Sequence, residues 1–178
     1  MGIEVRMTPP VTDSKEKVVL LAKREASLKL KGNATKAGPE IEKFLSPFRK
    51  TFAENDPRFL DLDFGADWCA AFVYFILTTA GYALKIRPFE DKKGTFGLVG
   101  IWVEWARSQG TLKDRLYEPV PGDLVIYNKL VSDQVLDHIG IVLENTPGYL
   151  ITAEGNVENK TGLFKREKNE TIAWYIHL

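Results

Sequence analysis

Residues 68–84 read WCAAFVYFILTTAGYAL and form the one long apolar run of the chain. Spanning a bilayer takes about 20 mainly apolar residues, whereas this run is shorter and contains Thr78, Thr79 and Gly81. A helix that is apolar on all sides belongs at the centre of a protein core. The run therefore predicts a buried helix that starts beside Cys69, and it predicts no membrane insertion.

The composition limits the class of protein. The chain has 178 residues, with 24 Lys and Arg against 24 Asp and Glu, one cysteine and two histidines. At roughly 150 residues per domain, this length predicts one domain with its own core. A formal net charge of zero argues against nucleic acid as a ligand, because phosphate binding needs clustered basic residues. The lone Cys69 excludes an intramolecular disulfide and is either a small buried hydrophobe or a reactive thiol.

The first part of the chain has helical periodicity. We predict a helix over 14–31, opened by a capping box of Asp13 and Glu16, and a second helix near 96–109 that ends at a glycine. Between them, residues 32–65 mix short apolar pieces with turn residues and predict one or two short helices before the apolar run.

The second part of the chain has β-type runs. They lie at residues 124–127, 138–144, 149–154 and 171–177. Helices followed by strands predict an α+β fold, with N-terminal helices packed on a C-terminal antiparallel β-sheet. We predict that residues 1–12 are a flexible lead and that residues 13–178 form a single domain.

Three residue types in this pattern point to nucleophilic catalysis. Cys69 lies at the predicted start of a helix, where the helix dipole lowers the pKa of a thiol from about 8.5. His138 opens a strand, and Glu154 and Asn156 lie at the end of the next one. If these strands pair, the Glu154 carboxylate can orient the imidazole, as in other sets of nucleophile, base and orienting group. The ordinary alternatives are a buried cysteine and a histidine at the surface or in the core.

The same residues carry a resemblance to a family. Four blocks, at 68–73 (WCAAFV), 121–127 (PGDLVIY), 138–142 (HIGIV) and 154–156 (EGN), resemble in order and spacing the CHAP family. These are cysteine- and histidine-dependent amidohydrolases and peptidases that cut peptidoglycan and have a papain-like fold. The similarity extends over residues 15–178 and implies that 13–178 are a catalytic domain.

The resemblance implies a role for each site residue. Cys69 is implied as the nucleophile, His138 as general base and acid, and Glu154 as the residue that orients His138. Asn156 is implied as a fourth polar member that holds the imidazole or the oxyanion. Trp68 either lines the acyl pocket or packs beside the core helix.

The resemblance also raises the question of a metal. Some members of the family bind calcium through an aspartate-rich loop just before the cysteine, and Asp61, Asp63 and Asp67 are similar to it. Ala71 stands where an acid is expected after the cysteine, and Ca²⁺ needs six or more oxygen ligands. We expect no required cofactor, with calcium as the alternative. Asp67 either raises the pKa of the nearby thiol or caps the helix, and we favour the cap.

The predicted function is hydrolysis of a peptidoglycan amide through a thioester, as an N-acetylmuramoyl-L-alanine amidase or a peptidoglycan endopeptidase. The alternatives are a catalytically degenerate module that binds the cell wall or a partner, and an amidase that acts on a small amide outside the wall. The expected partner is a peptidoglycan stem peptide, with an immunity or inhibitor protein if the chain is a secreted effector. No signal peptide is readable in the sequence, which predicts synthesis in the cytoplasm and action at the wall after release, as a phage lysin, or export by another route.

Overall fold

The computed structural model describes residues 14–178, so the predicted lead at 1–12 and the predicted Asp13 cap lie outside the described residues. The helices come first in the chain. They are α1 (Ser14–Ser27), α2 (Glu42–Leu45), α3 (Arg49–Ala53), a 3₁₀ helix (Pro57–Leu60), α4 (Cys69–Thr79) and α5 (Val99–Gln109).

The strands follow the helices. They are β1 (Leu112–Lys113), β2 (Leu124–Tyr127), β3 (His138–Asn145), β4 (Tyr149–Val157), β5 (Lys160–Glu167) and β6 (Ile172–Ile176). All neighbours pair antiparallel, in the order β1-β6-β2-β3-β4-β5. The predicted α+β class, with helices packed on an antiparallel sheet, is confirmed.

Two details of the helical part differ from the prediction. α1 ends at Ser27 instead of residue 31, because Lys29 adopts a left-handed φ of 51° that a helix cannot continue. The segment 32–65 contains three short helical elements instead of one or two. Its Pro and Gly residues divide it into shorter pieces than the apolar spacing indicated.

Two strands were not predicted, the two-residue β1 and the eight-residue β5. β5 has the sequence KTGLFKRE, which is too polar to stand out as a strand, and it pairs along β4 at the edge of the sheet. An edge strand has only one strand neighbour, so it tolerates alternating charged residues. Its position matters because β5 carries a residue that contacts the site.

The apolar run forms the centre of the core, as predicted. α4 packs against β3 and β4 on one side and against α2 on another, and eight of its eleven residues are buried. Alternate residues of β2 point to opposite faces of the sheet: Leu124 and Ile126 join the core around α4, while Val125 and Tyr127 join a smaller cluster on the other face. No helix within residues 14–178 is long and apolar enough to cross a membrane.

Candidate active site

Cys69 is the first residue of α4, and its thiol is free. The N-cap residue Trp68 offers no side-chain cap, and the first helical hydrogen bond runs from the Phe72 N–H to the Trp68 carbonyl, at 2.9 Å. The N–H groups of the first turn therefore have no acceptor within the helix, and the positive end of the helix dipole lies at Cys69. This environment favours an anion at the sulfur or beside it.

Trp68 supports the site from within the core. It is fully buried, stacks on Phe44 at 5.6 Å between ring centroids, and donates from Nε1 to Asn159 Oδ1 at 3.1 Å. Gly155 lets β4 approach this ring, because a Cβ there would lie 2.9 Å from Trp68 Cζ3 and 2.6 Å from Phe72 Cβ. Of the two readings of Trp68, the structure supports packing rather than a pocket lining.

His138 and Glu154 form a buried pair. Nε2 of His138 lies 2.8 Å from Glu154 Oε2, and both side chains are almost fully inaccessible to solvent. Burial by itself would lower the pKa of His138, but its interactions with the neighbouring Cys69 and Glu154 raise it from 6.5 to about 10. The other ring nitrogen, Nδ1, is buried and has no hydrogen-bond partner among residues 14–178.

Glu154 is held as a carboxylate by several donors. Arg166 donates from Nε to Oε1 at 2.9 Å and from Nη2 to Oε2 at 2.6 Å, and the Thr152 hydroxyl donates to Oε1 at 2.6 Å. Burial would raise the pKa of Glu154, but the bonds to Arg166 and His138 and their charges lower it to about 2. Gly140 leaves the space for this side chain, since a Cβ there would lie 2.8 Å from Glu154 Cγ.

Arg166 is the site residue that the sequence did not reveal. It lies on β5, and its pairing with Leu150 on β4 places it on the same face as Thr152 and Glu154. The alternation of side chains along β5 could not identify this face from the sequence, because the pairing of β4 with β5 was not predicted.

Asn156 lies in the same cleft, and its side chain bonds to Asp67. Nδ2 of Asn156 donates to Asp67 Oδ1 at 2.9 Å, and Lys36 forms an ion pair with the same carboxylate. Partial burial would raise the pKa of Asp67, but hydrogen bonds from Lys36 and Asn156 lower it. The prediction that Asp67 caps the helix is wrong, because Trp68 is the N-cap of α4 and the Asp67 carboxylate bonds to Lys36 and Asn156.

Two of the three aspartates before Cys69 have partners within the protein. Asp61 Oδ1 accepts the backbone N–H of Asp63 at 2.9 Å, and Asp67 is engaged with Lys36. Within residues 14–178, no group of three or more His, Cys, Asp or Glu side chains is placed to hold a metal ion.

Cys69 opens into a cleft of about 860 Å³. Part of its lining is polar and includes Lys36, Asp67 and Asn156, which are joined by the bonds described above. Much of the rest is aliphatic and comes from two segments, 97–99 before and within α5 and 130–136 between β2 and β3. A substrate chain in this cleft would therefore meet both charged and apolar surfaces beside the sulfur.

The candidate site contains the residue types that nucleophilic chemistry requires. They are a thiol at a helix start, a buried imidazole and a carboxylate in contact with that imidazole.

Comparison with known proteins identifies the family of the chain. The CHAP domain family model matches residues 61–156, more than half of the chain, and the chain belongs to this family. The match runs from the segment before Cys69 to Asn156.

Two further comparisons were made. A search of curated proteins found no match. Among solved structures, a crystal structure of an N-acetylmuramoyl-L-alanine amidase from Bacteroides uniformis ATCC 8492 is 11% identical and has a TM-score of 0.41, over 93% of this chain and 99% of that one.

Proposed function

We propose that the protein is a peptidoglycan hydrolase that cleaves an amide bond through a thioester on Cys69. The observation that carries the proposal is the buried contact of His138 with Glu154, with the thiol of Cys69 close enough to raise the pKa of the imidazole. Membership of the CHAP family supports the general class of activity and the wall substrate.

The first half of the reaction forms the thioester. The Cys69 thiolate attacks the carbonyl carbon of the amide, and the carbonyl electron pair moves onto oxygen. The free N–H groups at the start of α4 stabilise this oxyanion, and one such donor is typically worth about 3–4 kcal/mol. As the intermediate collapses, the C–N bond breaks and His138 gives its proton to the leaving nitrogen.

The second half releases the acyl group. Water attacks the thioester carbon, and the now neutral His138 accepts the proton of that water. The C–S bond breaks, and Cys69 leaves as thiolate beside a protonated His138. Glu154 keeps the imidazole in one orientation throughout, and it stabilises the charged form of the ring in which each cycle begins and ends.

The test is cleavage of purified sacculi by wild-type protein and two variants, Cys69→Ala and His138→Ala. We expect both variants to lose detectable release of soluble fragments, because each removes a group that takes part in bond breaking. His177→Ala is the matched control, since it removes the other histidine of the chain, which contacts Asp123 and Tyr117 outside the cleft. Release of fragments by Cys69→Ala would refute the mechanism.

Two measurements separate the alternatives. Mass spectrometry of the released fragments identifies the amide that is cut. If the sacculus stays intact while the thiol of Cys69 is reactive, the substrate is a small amide outside the wall. Iodoacetamide labelling of Cys69 across pH tests the degenerate binding module, which requires no activated thiol.

A further inference from the structure

Arg49 lies at the centre of the turn that leads to the nucleophile. Its side chain is 10% exposed, and it projects from α3 into the segment 59–64. The guanidinium donates hydrogen bonds of 2.9–3.2 Å to four backbone carbonyls, those of Phe59, Asp61, Leu62 and Phe64. A single cation thus gathers the carbonyl groups of the turn around itself.

A carboxylate on α2 balances this cation. Nε of Arg49 donates to Glu42 Oε1 at 2.6 Å, and Nη2 donates to Glu42 Oε2 at 2.5 Å. The bidentate pair fixes the plane of the guanidinium, and the planar fork then fixes the directions of the donors that meet the carbonyls. The turn is therefore fastened to α2 and α3 through one side chain.

The turn continues directly into the active site. Gly65 donates from its backbone N–H to the Thr35 carbonyl at 2.9 Å, and Asp67 pairs with Lys36. α4 and Cys69 follow immediately. These two contacts fix the backbone between the turn and Cys69.

We propose that Arg49 is the built-in cation of this turn and a positioning residue for Cys69, and that the turn is organised without Ca²⁺. Backbone carbonyls are ligands that Ca²⁺ takes at 2.3–2.6 Å, six to eight oxygens in all. Four carbonyls of the turn instead point at the guanidinium, and Asp61 accepts a backbone N–H of its own turn. The carbonyl oxygens of the segment do not fit a calcium site, because they already accept hydrogen bonds from the Arg49 guanidinium.

Four proteins test this role: wild type, Arg49→Lys, Arg49→Ala and the matched control Arg58→Ala. Arg58 directly precedes this segment, and its side chain is 71% exposed and forms an ion pair with Asp56. Thermal unfolding in EDTA and in millimolar CaCl₂ reports the role of the cation whether or not the protein hydrolyses cell walls. We expect the Tm of wild type to be the same in both solutions.

Arg49→Lys keeps the charge but replaces the fork by one ammonium, which cannot span four carbonyls and a carboxylate together. We expect its Tm to fall by roughly 4–10 °C, while that of Arg58→Ala stays within about 2 °C of wild type. Arg49→Ala removes the cation altogether, and its Tm should lie below that of Arg49→Lys or the protein should fail to fold.

The positioning role has a separate readout, the rate at which iodoacetamide alkylates Cys69 in folded protein. We expect this rate to change at least threefold in Arg49→Lys, at a temperature where circular dichroism shows native structure, and to stay at the wild-type value in Arg58→Ala. An unchanged rate in folded Arg49→Lys would refute the positioning role. A Tm of wild type that rises with CaCl₂ or falls with EDTA would refute the built-in cation.

Discussion

At the scale of single residues, Glu154 has the most specialised surroundings in the site. Its carboxylate is fully buried, yet Arg166, Thr152 and His138 supply it with hydrogen bonds and keep it ionised. An ionised carboxylate in contact with the ring favours the imidazolium form of His138. The imidazole therefore stays protonated well above neutral pH, and in the proposed mechanism it is the acid for the leaving nitrogen.

Glu154→Gln keeps the size of the side chain and removes its charge. We expect kcat/KM on wall fragments to fall by roughly 10²–10⁴-fold, as for the loss of a group that orients and charges a catalytic base. The alkaline limb of the pH profile should move from near 10 in wild type toward 6.5, because the imidazolium loses the charge that stabilises it. The measurement is kcat/KM across pH.

Glu158→Gln is the control for this variant. Glu158 also lines the cleft but lies outside the hydrogen bonds of His138 and Glu154. Its profile should match wild type. An alkaline limb near 10 in Glu154→Gln would contradict the role of Glu154.

The sequence predicted individual residues well where a local pattern determined their place. Cys69 at a helix start and His138 at a strand start both follow from apolar periodicity, and the structure has α4 and β3 begin at these residues. The contacts of Arg166 and Arg49 could not be predicted from the sequence, because their partners lie on other elements and only tertiary packing brings them together. His177 had no predictable partner for the same reason, and the structure gives it Asp123 and Tyr117.

At the scale of elements, the connection between β2 and β3 forms an apolar rim beside the sulfur. Val131 is 48% exposed and Val135 is 66% exposed, and both line the cleft. Their loop is held by Asp137, whose carboxylate accepts the backbone N–H groups of residues 130, 131 and 132. We expect these exposed aliphatic side chains, on a loop with fixed backbone, to contact an apolar part of the proposed substrate.

The double variant Val131→Thr, Val135→Thr tests this surface with little change of shape. We expect KM for wall-derived peptides to rise about 3–10-fold with kcat nearly unchanged, since only substrate binding is weakened. Val120→Thr is the control, because Val120 is 43% exposed and lies outside the cleft lining. A KM equal to that of wild type in the double variant would rule out contact between the rim and the substrate.

At the scale of the whole molecule, one buried carboxylate joins distant parts of the chain. Asp123, at the turn before β2, is fully buried and accepts hydrogen bonds from Lys15 on α1 at 2.7 Å and from Tyr117 at 3.0 Å, while His177 lies 3.1 Å away. This aspartate belongs to one of the sequence blocks that carry the family resemblance. Its contacts indicate a structural role. It holds α1 and the end of β6 against the same turn.

Asp123→Asn should therefore affect stability and spare catalysis. Breaking a buried ion pair costs about 3–5 kcal/mol, which corresponds to a loss of roughly 6–20 °C in Tm for a chain of this length. The measurements are thermal unfolding and, well below the Tm, wall hydrolysis, which we expect to remain near wild type. Asp91→Asn, at an exposed position, is the control. A variant with unchanged Tm would show that the carboxylate is dispensable.

The order of the strands has a consequence for the synthesis of the protein. β6 is the last strand in the chain, yet it lies between β1 and β2 and pairs with both. While a ribosome is still making the chain, the edge of β2 stays open and β1 has no partner in the sheet. Pairing of such distant segments is slow and comes late in folding. The sheet is completed only when residue 176 has left the exit tunnel, so the β2 edge stays open to other strands until then.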